Sequence, residues 1–86
     1  MQINKVFGDR VFLTDVTPYK EEKHSALEII QYTGALMRAK VAYVGVDCKH
    51  TSVGEEVIIQ EPIGMDMSFE GVKYKVIRQA DILFSF

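Results

Sequence analysis

Between Val72 and Ile77 the side chains alternate, with Val72, Tyr74 and Val76 on one face of an extended chain and Lys73, Lys75 and Ile77 on the other. One face is therefore apolar and the other mostly cationic, the mark of a strand with one wet side. Glu70-Gly71 immediately before it is a tight-turn dipeptide, which predicts a hairpin with residues 65–69. The rest of the chain reads the same way. Residues 5–16 mix β-branched and aromatic residues, and Gly8-Asp9 predicts a bend or bulge before a main strand at 10–15. Lys40-Val41-Ala42-Tyr43-Val44-Gly45 is a second strand ending in glycine. Glu56-Val57-Ile58-Ile59-Gln60 is a third, introduced by Val53-Gly54 and stopped by Pro62. Arg78-Gln79-Ala80-Asp81 is a short turn leading to Ile82-Leu83-Phe84-Ser85-Phe86, an apolar segment that seeks a partner at a sheet edge. The pattern predicts an all-β fold of short strands, a small barrel.

With 86 residues the chain is one domain, 1–86, and 48% hydrophobic against 26% charged residues is the balance of a globular one. Ten basic and twelve acidic side chains give a net charge of −2, so there is no general attraction to phosphate, and nucleic acid is a poor first guess. Lys73 and Lys75 give a fragment of a basic face, but Tyr74 lies on the opposite side of the strand, and a solubilising pair of lysines is the simpler account. Cys48 is the single cysteine, which rules out an intrachain disulfide and leaves stability to packing or to partners. No stretch approaches the roughly 18–20 apolar residues of a membrane span, and a charge precedes any signal-like apolar run. A soluble, cytoplasmic protein without a membrane partner is the expectation.

The segment at 17–39 does not fit the strand pattern. Thr17-Pro18-Tyr19-Lys20-Glu21-Glu22-Lys23-His24 is polar and reads as an exposed loop. Ser25-Ala26-Leu27-Glu28 is a formal capping box, and Leu27, Ile30 and Met37 share a helical spacing. Ile29, Ile30, Tyr32 and Thr33 are nonetheless better strand formers, and Gly34 breaks the run. Propensity leaves both readings open.

Catalytic chemistry is thinly supplied. His24 and His50 are the only imidazoles, and Cys48-Lys49-His50 has no second Cys or His pair to complete a zinc site. Beyond one lysine, nothing near Cys48 in sequence argues for a reactive thiolate. Glu21-Glu22 and Glu55-Glu56 are adjacent pairs, which point apart in extended chain and do not share a proton. The glycines form no phosphate-cradling pattern. The sequence therefore predicts no catalytic residue, no metal, no cofactor and no enzyme.

The order of elements resembles a GroES-like co-chaperonin, the chaperonin-10 family, over nearly the whole chain. Asp9-Arg10-Val11 opens the first main strand, and Lys40-Val41-Ala42-Tyr43-Val44-Gly45 stands where the family has G-x-V-x-x-V-G. Val53-Gly54-Glu55-Glu56-Val57-Ile58 resembles its V-G-D-x-V-x stretch. Residues 70–83 are similar to its ending, a turn, a strand and then Asp81-Ile82-Leu83. The resemblance implies a small β-barrel that assembles into a homo-oligomeric, seven-membered ring and caps a double-ring, GroEL-type chaperonin. ATP would be bound by that partner and not by this chain. It also implies a mobile loop, about 17–39, whose hydrophobic tripeptide docks in the partner's apical groove. The order of residues through Thr33-Gly34 aligns Ile30-Gln31-Tyr32 with that tripeptide, whereas side-chain chemistry favours Ile29-Ile30 with Leu27 nearby. Ile82, Leu83 and Phe84 would pair with a neighbouring subunit's N-terminal strand, around Ile3, Val6 and Phe7, a heterologous contact that closes into a ring.

The chain also departs from the family. Only Val46-Asp47-Cys48-Lys49-His50-Thr51-Ser52 stands in place of the roof hairpin, so the roof, about 46–52, is shortened, and the glycine pair before the tripeptide is missing. Those losses resemble the divergent co-chaperonins of viruses of bacteria. The other reading is a small β-barrel structural or interaction protein, a virion component or adaptor, with no chaperonin partner.

Overall fold

The computed structural model describes residues 3–19 and 36–86. Among these residues are six strands: β1 (Arg10–Pro18), β2 (Leu36–Val44), β3 (Glu56–Gln60), β4 (Met65–Phe69), β5 (Val72–Arg78) and β6 (Phe84–Ser85). They form one antiparallel sheet in the order β4-β5-β1-β2-β3-β6, and a 3-10 turn at Gln79–Asp81 precedes β6. The predicted hairpin is present. Phe69 faces Val72, and the turn residues Glu70 and Gly71 have φ of 54° and 82°, the left-handed pair whose twist suits a two-residue connection. β3 has the bounds its apolar run predicts.

Curling of the sheet builds the core. Val11 and Leu13 of β1, Ala39 and Val41 of β2, Val57 and Ile59 of β3 and Ile77 of β5 form one buried cluster. β3 and β5 are separated by two strands in the sheet, so their side chains share a cluster only because the sheet rolls round it. Ile63 and Ile82, from the connections, pack against its ends. This is an all-β fold of the small-barrel kind. Complete burial of Val11, Leu13, Val41, Val57 and Ile59 contributes about 1.5–3 kcal/mol per side chain before entropy is counted.

The outer surface is not uniformly polar. Phe12, Tyr43 and Tyr74 form a triangle across β1, β2 and β5, with ring centroids 5.7–6.1 Å apart. Val76 and Ile58 are also buried on this side, at 7% and 0% exposure.

Three findings correct the sequence reading. Thr17 and Pro18 pair with Arg38 and Met37, and Met37, Arg38 and Ala39 pair with Ile59, Ile58 and Val57, so both ends of the expected 17–39 loop are sheet. The cause is an irregularity after Thr14, where Asp15 adopts a φ of 54° and lets β1 bend and resume its pairing. The second strand likewise begins at Leu36 rather than at Lys40. Thirdly, Lys75 is no solvated lysine: its side chain is 13% exposed and lies between Glu61 and Asp66.

Before β1, the chain is fastened to the end of β2. Val46 donates to the Val6 carbonyl at 3.0 Å, Asp47 to Gly8 at 2.9 Å and Gly45 to Arg10 at 2.7 Å. A Cβ on Gly45 would stand 2.1 Å from the Gly8 carbonyl oxygen, so this ribbon closes only over a residue without a side chain. Gly45→Ala is expected to destabilise the fold by about 2–3 kcal/mol. Thermal unfolding measures this, and amide exchange at Val46 and Asp47 should rise before exchange in β3 does.

Candidate functional site

The two strands that bracket residues 20–35 form a stem. Beyond the last β1–β2 register pair, Tyr19 donates its amide to the Leu36 carbonyl at 2.9 Å, so both ends of the segment leave one antiparallel pair together. Beside this stem is a compact outer cluster. Arg38, Ile58 and Phe84 stand opposite one another across β2, β3 and β6 and so share a face. Arg38 lies 4.7 Å over the Phe86 ring and donates from Nε and from Nη2 to Oε1 of Glu56, the Nε bond being 2.9 Å. Phe86 also contacts Phe84 and Tyr19, at centroid distances of 5.8 and 6.0 Å. Sequence reasoning missed Tyr19, Arg38 and Phe86 as a group, because residues so far apart in the chain give no local pattern. Leu27, Ile29, Ile30, Gln31 and Tyr32, the expected chaperonin contacts, lie outside the described residues.

The six residues expected at subunit contacts divide in two. Val6 is buried and Ile82 packs against the core, so these two serve the domain's own interior. Phe7, Leu83 and Phe84 are 65%, 54% and 49% exposed, and Ile3 is half-buried. β6 lies along β3 of its own chain, with Leu83 donating to Ile58 and Phe86 to Glu56, both at 2.9 Å. Its other side is an end of the sheet, as is β4 at the opposite end. The exposed apolar residues thus come from two stretches of the chain, one before β1 and one around β6.

Residues 45–55, which join β2 to β3, carry turns and bends but no strand. Gln79 holds this connection. Its Oε1 accepts from the amides of Lys49 and His50 and from the Thr51 hydroxyl, at 3.1, 2.9 and 3.0 Å. Cys48 and His50, the two residues with potential for covalent or metal chemistry, are placed as parts of this turn, and the Cys48 thiol lies 3.7 Å from the Arg10 carbonyl. Among the described residues no group of three His, Cys, Asp or Glu side chains is placed to hold a metal. Replacing Gln79 by Met should release the connection at a cost of about 2 kcal/mol, since three donors lose one acceptor. Faster amide exchange at Lys49 and His50, with β4 and β5 unchanged, is the expected readout.

Lys75 is engaged by two carboxylates and is itself mostly buried. Its Nζ is 3.0 Å from Glu61, 3.3 Å from Asp66 and 3.3 Å from the Ile63 carbonyl, which ties the β3–β4 connection to β5. Burial alone would lower its pKa, but the hydrogen bonds and charges of Glu61 and Asp66 outweigh it and hold the ammonium above the ordinary lysine range. The stability linked to this raised pKa is fully present below about pH 10.4, the unfolded lysine value, and is lost as pH rises through the folded one. Lys75→Met should remove that alkaline dependence and cost about 1–2 kcal/mol near neutrality, as pH-dependent urea unfolding would measure. Tyr74 is raised as well, first by burial and then by the neighbouring Tyr43.

The class of protein follows from this arrangement: a small antiparallel β-barrel domain whose first two strands are joined by a long excursion, with open sheet ends flanked by exposed apolar residues. The co-chaperonin GroES of Clostridioides difficile is similar to it, 31% identical over 90 residues that cover 92% of this chain and 93% of that protein. No family model matches the chain. At that identity and coverage the chain belongs to the GroES co-chaperonin family, which implies a protein that is not an enzyme.

Proposed function

We propose that this chain is the subunit of a homo-oligomeric ring, heptameric by likeness to its family, that caps the chamber of a GroEL-type chaperonin and assists protein folding there. The observation that carries the proposal is the resemblance over 92% of the chain, joined to a stem that presents residues 20–35 from one strand pair. Leu27, Ile29, Ile30, Gln31 and Tyr32 supply the contact with the partner. Burying two or three large apolar side chains yields roughly 1.5–3 kcal/mol each, while ordering a chain segment costs about 1–2 kcal/mol per residue. A single arm binds feebly. Several arms on one ring make the later contacts intramolecular, and the sum is firm yet reversible.

Phe7, Leu83 and Phe84, all apolar and exposed, support the subunit contact. The ring acts on its partner's conformational equilibrium, with ATP bound by the partner. The strandless connection at residues 45–55 supports a cap with little or no roof, the basis for a reading as a virus-encoded member. The cytoplasm is the compartment this role implies.

Substituting Ile29 and Ile30 together by Ser should leave the assembly mass unchanged in native mass spectrometry. Nucleotide-dependent binding to the chaperonin should fall below detection. Full binding by this variant, or a wild-type chain that stays monomeric at working concentration, would sink the proposal.

A further inference from the structure

The outer cluster beside the stem is more elaborate than an edge strand needs. β6 is held to β3 by backbone bonds, yet Phe86 also reaches across to Tyr19, at the root of the 20–35 excursion, and lies beneath the guanidinium of Arg38. Arg38 is in turn oriented by two hydrogen bonds to one oxygen of Glu56. Arg38 sits in β2, two residues from Leu36, the other root. Both ends of the excursion are therefore braced by one aromatic ring carried just after β6. The brace is unusual in its exposure. Phe86 is 61% exposed and the Arg38 and Glu56 side chains are 47% and 41% exposed, so it hides too little surface to count as core.

We infer that Phe86 is a positioning residue for chaperonin docking: packed between Tyr19 and Arg38, it fixes the direction in which residues 20–35 leave the sheet. The inference rests on the reading of that segment as the docking arm. An arm whose root points correctly spends less of its contact energy on orientation, and preorganisation of this kind is gained without any contact between Phe86 and the partner. The effect multiplies when several arms must engage together, so a small change per subunit becomes a large one for the ring.

Chaperonin binding, measured with nucleotide by surface plasmon resonance on intact rings, tests the role with four variants. Phe86→Ala should weaken binding about tenfold or more, a change of about 1.4 kcal/mol per factor of ten. Phe86→Tyr, which keeps the ring, should restore it. Tyr19→Leu, which leaves β6 and its ladder untouched, should weaken binding as Phe86→Ala does, while native mass spectrometry shows the same assembly. The amide of Tyr19 should exchange faster in both weakened variants. Unchanged binding in both Phe86→Ala and Tyr19→Leu, alongside loss of binding in the Ile29/Ile30→Ser variant, overturns this inference alone. Retained binding in the Ile29/Ile30→Ser variant overturns the arm reading beneath it.

Discussion

The fold depends on β1 being paired on both sides while its inner face is fully apolar. Val11 and Leu13 are completely buried, and β5 and β2 lie against the two edges of the same strand. Neither flanking strand could bury its own apolar residues against a flat neighbour, so the sheet rolls until β3 and β5 meet over β1. The connections after β3 are then short because the strand ends are already close. Gly45 follows from this constraint, since the chain entering β1 must pass directly over the end of β2.

The same roll sets where chemistry can and cannot occur. Among the described residues the side chains with catalytic potential lie in the β2–β3 connection, where the Cys48 amide and thiol reach the Gly45 and Arg10 carbonyls and the His50 amide is held by the Gln79 side chain. What the domain offers outward is different: two sheet ends, exposed rings near β6, and a strand pair that presents residues 20–35. These are the features on which the proposed contacts with other chains rest. The GroES family relationship and the physical inventory therefore agree without either being derived from the other.

Much of the architecture was legible because its signals are local. The β4–β5 hairpin follows from a left-handed turn dipeptide and an alternating strand, and β3 follows from five residues between a glycine turn and a proline. The ends of the first loop were not legible. Pro18 and the polar run after it resemble loop, but the bend at Asp15 permits pairing to resume, and a bulge has no dependable sequence signal. Lys75 was misread because the carboxylate that buries it, Glu61, is fourteen residues away and beyond the reach of periodicity. Among the interface candidates, the sequence could not divide Val6 and Ile82, which turn inward, from Phe7, Leu83 and Phe84, which are exposed.

The composition of β4 has a consequence for solubility during synthesis. An unpaired sheet border with Met65, Met67 and Phe69 along one side would invite indiscriminate stacking of nascent copies, and Met65 is indeed open to water. Asp66 alternates with them and, while one oxygen pairs with Lys75, leaves its side chain 86% exposed on the same strand. Any second copy laying its backbone along that border must bring another such charge close by, so growth into fibrils is discouraged there. The short border at β6 carries no comparable charge, which leaves it the freer of the two to accept a neighbour.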